Sequence, residues 1–272
     1  MAASGGRQRS PVGLVQVHPV GEDAGADIDI IAIHGLDTRS PDTWTWRDPN
    51  NRKTQVNWLE ASEMLPSIVG RARIFTCDWP ADLFQDSDST PWTVDEFALR
   101  LLAGIQNRRR LLGADGQTKD QPILFVASCL GGIVLMKALV IADNPRSDYI
   151  SLRRATRGII FLATPFRGTA FRDIAAWAEL MLQAWASLRN RSVSQLLDSV
   201  KGSTSELRIL VRAFTWLYQD KDHPCHVCTF YEKRTTNLQR KFVPGYLVPL
   251  LGQEKLVSAI ECSLYRFLSL VV

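Results

Sequence analysis

No stretch of this chain stays apolar for the ~18 residues that a membrane-spanning helix needs. Residues 1–11 hold no apolar core that a signal peptide could use. Arg7 and Arg9 in that acid-poor start give a trace of transit-peptide character, and a frayed polar tail is expected there. Charge bias is missing too: 32 basic against 28 acidic side chains leave +4, too little to point to nucleic acid. The one dense basic run, Arg108-Arg109-Arg110, falls where a helix should end, so it is expected as a solvated terminus favoured by the macrodipole. Five cysteines (Cys77, Cys129, Cys225, Cys228, Cys262) are odd in number and irregular in spacing, unlike a disulfide framework. The expected location is therefore the cytoplasm, where Cys129 remains a thiol, with a mitochondrial or endoplasmic-reticulum association as the alternative.

What is present suits one large core. A chain of 272 residues, 46% hydrophobic and 22% charged, can fold as a single α/β domain over 1–272. Short apolar runs alternate with longer helical patterns, the signature of a mostly parallel sheet with helices on both faces. Strands are expected at 13–18, 28–34, 72–77, 122–127, 158–163 and 225–231. The first two are separated by Gly21-Glu22-Asp23-Ala24-Gly25, which reads as a hairpin connection. Asn57 is placed to cap a helix from Trp58 to about Ile68, and Thr93 one over 94–112 closed by Gly113. A third helix is expected over 131–142, stopping at Asn144-Pro145. Residues 170–220 show no strand; they read as a helical cap insertion whose first helix carries Ile174, Trp177, Met181, Trp185 and Leu188.

The most informative stretch is Phe125-Val126-Ala127-Ser128-Cys129-Leu130-Gly131-Gly132. A nucleophile elbow turns a strand sharply into a helix and holds one strained residue at its apex. The residues two before and two after the apex come close together, so both must be small. With Cys129 at the apex they are Ala127 and Gly131; with Ser128 they would be Val126 and Leu130, which clash. The register selects Cys129.

Three further blocks join the elbow in a resemblance. His34-Gly35-Leu36, followed by Thr43-Trp44-Thr45-Trp46, resembles an HGL…TWTW segment, and Asn57-Trp58-Leu59 with 72–79 resembles the next helix and strand. Phe161-Leu162-Ala163-Thr164-Pro165-Phe166-Arg167-Gly168 is similar to an FLGTPHRG block, with Phe166 where histidine is usual. Together, over roughly residues 28 to 258, these resemble the lipase-like branch of the α/β-hydrolases. The likeness is greatest to the domains that begin many fungal NOD-like-receptor (STAND-type) proteins, some of which carry cysteine at the apex. The resemblance implies an acyl hydrolase acting on an ester, lipid or thioester, with no cofactor.

In such an elbow the apex attacks an acyl carbon, and two backbone N–H groups meet the oxyanion. Leu130 and Leu36 are expected to supply them, with His34 and Gly35 bracing the loop. The beside-lying helix N-terminus should favour a Cys129 thiolate. Glu232, just past a late strand, matches the position of the acid, with Asp78 and Asp222 as weaker alternatives. Cys225-His226-Val227-Cys228 invites a metal reading, but a strand points the two cysteines to opposite faces and no second pair exists to complete a zinc site, so no metal is expected. The base is missing: the four histidines are His18, His34, His223 and His226, all before the acid. Where the family enters its last strand and histidine loop, this chain reads a divergent 259–272, as a truncated or alternatively spliced product would. Three functions follow from this: an acyl hydrolase impaired by the absent histidine, a fold-retaining module that binds an acyl or lipid-like ligand, a partner protein or a downstream receptor domain, or a fragment of such a receptor.

Overall fold

Strands buried on both faces must lie inside a covered sheet, and the apolar runs do so. The computed structural model describes residues 13–18, 25–35, 39–48, 50–51, 53–78, 94–112, 121–164 and 203–230. In chain order the elements are β1 (Gly13–His18), β2 (Ile28–Ile33), α1 (Ser40–Thr43), β3 (Thr45–Arg47), β4 (Gln55–Asn57), α2 (Leu65–Val69), β5 (Ala72–Asp78) and α3 (Val94–Leu112), then β6 (Ile123–Ser128), α4 (Leu130–Ala142), α5 (Ile150–Ala155), β7 (Thr156–Leu162), α6 (Ser203–Tyr218) and β8 (His226–Phe230). Six strands form one sheet in the order β1-β5-β2-β6-β7-β8, and β3 pairs with β4 in a separate antiparallel ribbon. Among the described strands of the large sheet, only β1 runs antiparallel.

Alternate residues of each inner strand face two cores. One holds Ile31, Ile33, Phe75, Phe125 and Phe161 against α3, α4, α5 and α6, where Phe161 meets Phe214 edge-on at 5.8 Å. The other holds Ile30, Ala32, Ile74 and Val126 under Trp44, Leu59 and α2. Helix α4 lies between the sheet, α3 and α6, which is why its residues are apolar nearly all round. This is the expected architecture, a mostly parallel sheet with helices on both faces.

Several local expectations are corrected. β1 and β2 are not a hairpin, because β5 is inserted between them. β2 is buried along almost its whole length and needs neighbours on both sides, whereas β1 is half-exposed and suits an edge. The helix expected from Trp58 shrinks to Leu65–Val69: Asn57 accepts from Leu59 N–H in a turn, and Pro66 fits only a first helical turn. The basic run is not simply solvated. Arg109 is buried, donates to the Gln121 carbonyl at 2.9 Å and faces Asp29, itself paired with Arg73 at 2.7 Å; Arg108 lies over Phe75. The tails at 1–11 and 259–272 and most of 170–220 lie outside the described residues; α6 packs on α4 and the sheet.

The connection from β2 runs to β5 on one side, and the next crosses back to β6 on the other. Where strand order reverses, the carboxyl ends of neighbouring strands open a crevice. That reversal lies between β2 and β6.

Candidate active site

At the carboxyl end of β6 the chain turns directly into α4, and Cys129 is the joint. Its φ of 51° and ψ of −126° lie in a region that L-residues rarely adopt. Ser128, by contrast, ends the regular strand, paired with Leu162. Cys129 N–H donates to the Leu162 carbonyl at 2.8 Å, and Gly132 N–H donates to the Cys129 carbonyl at 3.1 Å. The turn is therefore fixed on both sides by main-chain bonds. Gly131 is small for a reason: a Cβ there would lie 2.3 Å from the His34 carbonyl oxygen and 3.0 Å from that of Ile33. Ala127 is fully buried beneath the apex. Leu130 opens α4, so its N–H is among the first-turn donors that the helix itself leaves without an acceptor.

The loop after β2 is the second wall. A Cβ on Gly35 would lie 2.9 Å from the Cβ of Cys129 and 3.7 Å from its sulfur, so bare backbone runs alongside the thiol. His34 is buried under this loop, with Nδ1 2.8 Å from the Gly35 carbonyl oxygen and Nε2 3.6 Å from Asp78 Oδ1. Asp78 Oδ1 also accepts from Ser40 N–H at 3.2 Å. Both ring nitrogens of His34 are thus engaged in bracing the loop, and Asp78 ties the end of β5 to the start of α1. Leu36 lies outside the described residues, as does Glu232 beyond the end of β8. Asp222 lies on the turn before β8, at the other end of that parallel strand, with its N–H bonded to Asp220 Oδ1.

Two features of the site were not singled out from sequence. Ala163 also has a positive φ, 52°, at the end of β7, where its N–H donates to the Phe230 carbonyl at 2.7 Å. Thr164 follows, buried, and packs so closely on Gly132 that a Cβ there would lie 2.6 Å from its methyl carbon. The signal was available: the second glycine of Gly131-Gly132 has no role in the elbow turn itself.

The other thiols differ in kind. Cys77 is fully buried, and desolvation first, then the Asp78 charge, pushes its ionisation far up. Burial pushes Cys225 up to about 11, against smaller opposing effects of Arg153 and Arg157. Cys129 is the half-exposed one among the described cysteines. No group of three or more His, Cys, Asp or Glu among the described residues is placed to hold a metal ion. None of the described helices is long and apolar enough to cross a membrane.

No family model matches the chain, and no curated protein matches it. Among solved structures it is similar to the mature lipase of Bacillus licheniformis, with a TM-score of 0.45 and 17% identity over 92% of this chain and 84% of that one. Esterase B from Lactobacillus rhamnosis gives 0.37 and 11%, over 77% and 67%. MenH from S. aureus gives 0.36 and 11%, over 81% and 90%. All three scores lie below 0.5, so the fold rests on the chain's own strands. Among the described residues, five parallel strands beside one antiparallel strand, a crossover reversal at β2, and a strained strand-to-helix joint at that reversal are the arrangement of an α/β-hydrolase fold.

Proposed function

We propose that this chain is an acyl-transfer domain of the hydrolase type, with Cys129 as nucleophile toward an ester, lipid-like or thioester substrate. The observation that carries this is the backbone of Cys129, a non-glycine residue at φ 51° between a central strand and a 13-residue helix. Strain of this kind persists only where the surroundings over-determine it, and it clusters at functional sites. The helix N-terminus beside the sulfur favours the thiolate.

In the proposed first step the thiolate attacks the acyl carbon and the carbonyl electron pair moves onto oxygen. The Leu130 and Leu36 N–H groups meet that charge. Collapse expels the alkoxide or thiolate leaving group, which takes a proton from water, and leaves an acyl thioester on Cys129. Deacylation needs a base to take a proton from the attacking water. Glu232 is the proposed acid member, and residues 227–272 hold no histidine for it to orient. For these 272 residues, deacylation is therefore the step proposed to stall.

Stopped-flow hydrolysis of p-nitrophenyl acetate tests this. The expected trace is a burst of at most about one equivalent and then a near-zero steady state, since losing one member of a catalytic unit costs orders of magnitude in turnover. Cys129→Ala abolishes the burst. Sustained turnover that survives Cys129→Ala overturns the proposal.

That residues 227–272 supply no histidine is also compatible with a second reading. Here the fold serves as a cytoplasmic binding or effector module of a fungal NOD-like-receptor (STAND) type protein, gripping an acyl ligand, a partner protein or a downstream receptor domain. Calorimetric binding of a fatty-acyl ligand, unchanged by Cys129→Ala and with no burst, would select it.

A further inference from the structure

Two successive glycines in the first turn of α4 meet opposite walls. Gly131 lies against the end of β2, where a Cβ would collide with the His34 carbonyl oxygen and come 3.0 Å from that of Ile33. Gly132 lies against the end of β7, where a Cβ would collide with Thr164 Oγ1 and come 2.6 Å from its methyl carbon and 2.9 Å from its Cβ. Strands β2 and β7 flank β6 in the sheet, so the turn after Cys129 is gripped from both sides. The nearest atoms of the first wall are main-chain oxygens; those of the second all belong to one side chain.

That side chain is held in place from behind. Thr164 is buried, and Ala163 before it bends the end of β7 with a φ of 52°, its N–H donating to the Phe230 carbonyl at 2.7 Å. A non-glycine residue keeps such a φ only where its surroundings over-determine it. The Thr164 hydroxyl has no hydrogen-bond partner among the described residues. An unpaired buried hydroxyl costs stability, so what this side chain supplies to Gly132 is bulk and not a bond.

We propose that Thr164 is a positioning residue for the nucleophile: its side chain is the stop that seats the first turn of α4 and keeps the Cys129 sulfur at the helix N-terminus. The route has two steps. Thr164 sets Gly132, and Gly132 N–H donates to the Cys129 carbonyl at 3.1 Å, closing the turn that follows the apex. Cys129 N–H donates in turn to the Leu162 carbonyl at 2.8 Å, so the end of β7 fixes the apex residue through both of its main-chain groups. A smaller side chain at 164 lets the turn settle toward β7. The first-turn N–H groups then leave their alignment with the sulfur, and the thiolate loses part of its stabilisation. This rests on Cys129 as the proposed nucleophile, yet it is tested without acyl substrate. A missing burst would sink acyl transfer and leave this inference standing.

The test is the iodoacetamide rate of Cys129 against pH, read by mass spectrometry on the full chain in wild type, Thr164→Val, Thr164→Ala and Ile105→Val. All three exchanges are between uncharged residues and leave His34 and Asp78 in place, so a moved profile reports the geometry of the joint. Thr164→Val keeps both branches at Cβ and should match the wild type. Thr164→Ala removes both and should move the profile upward in pH. Its rate at pH 7 should be about threefold lower, the scale of a weakened helix-terminus effect, with the alkaline plateau unchanged. Ile105→Val, in the buried core on α3, lowers the melting temperature away from the elbow and should leave the profile in place. Superimposed profiles for wild type and Thr164→Ala would overturn the proposal, whatever midpoint they share. A Thr164→Val profile displaced as far as that of Thr164→Ala would overturn it too, since the hydroxyl would then be the working group. An equal displacement in Ile105→Val would reduce the effect to lost stability and overturn it as well.

Discussion

If the φ of 51° at Cys129 is imposed by its surroundings, glycine should be more stable there than alanine. Alanine keeps the strain and removes the thiol; glycine removes both. Holding a non-glycine residue in such a region costs on the order of 1–3 kcal/mol. Glycine gives back about 0.5–1 kcal/mol through the greater freedom of its unfolded chain. The half-exposed position adds only a few tenths for the lost methyl. Cys129→Gly should therefore exceed Cys129→Ala by about 1 kcal/mol, a rise of roughly 2–4 °C in melting temperature for a domain of this size. Ala127→Gly is the control: it occupies regular strand and is fully buried, so it should lose about 1 kcal/mol or more. Urea titrations followed by tryptophan fluorescence, with thermal melts of the same four proteins, would give the ranking. Cys129→Gly equal to or below Cys129→Ala would refute the strained joint, and with it the basis for calling Cys129 an apex.

The remaining predictions concern the thiols, the glycine wall and the alkaline limb of stability. Brief iodoacetamide labelling of folded protein at pH 7, read by mass spectrometry, should mark Cys129 well before Cys77, Cys225 or Cys228, all of them buried; equal labelling would remove Cys129 from the site. Gly131→Ala pushes a methyl against the main-chain oxygens of Ile33 and His34, which cannot rotate away. It should cost about 1–3 kcal/mol by urea titration and slow Cys129 alkylation as the loop is displaced, and an undisturbed rate would contradict the packing. Cys225 resists ionisation in the fold, up to about 11 against 9.0 in the unfolded chain. Between those values the unfolded state binds fewer protons, so the Cys225 share of stability should fall as pH rises through 9 and level off above 11, on top of a fall from Cys77 that continues further. Cys225→Val keeps the Cys77 part and should fall less steeply between pH 9 and 11, and parallel pH curves for the two proteins would count against it.

The sheet was legible because its inner strands are covered on both faces and so appear as unbroken apolar runs, as in Ile123-Leu124-Phe125-Val126. Strand order was not, since it depends on contacts far apart in sequence; nothing local to β1 says that its partner is β5, some sixty residues on. The ribbon of β3 and β4 was missed because three residues are too few to show a period. The burial of Arg109 was misread for a related reason: its countercharge, Asp29, lies in β2, far from α3 in sequence. At the joint of β6 and α4, steric arithmetic alone pointed to Cys129 as the strained residue, because a small residue at Gly131 is demanded by backbone approach and not by fold-wide packing. The pairing of His34 with Asp78 was invisible in sequence, being made across two strands that become neighbours only in the folded sheet.

Arg153 has a bearing on the site that its distance conceals. Buried almost completely on α5, it donates to the carbonyls of Leu217 and His223 and faces the carboxylates of Asp143 and Asp220. One guanidinium thus joins the end of α4, the last turn of α6 and the turn that enters β8. Among the described residues β8 has a single neighbour, β7, and is only five residues long, the kind of strand whose register is weakly held. Gripping His223, three residues before the strand begins, sets its phase from the far end. A slip of one residue would turn every side chain of β8 over. Arg153 works as the indexing pin of that edge, so a lesion there should surface as lost alignment at the opposite end of the sheet.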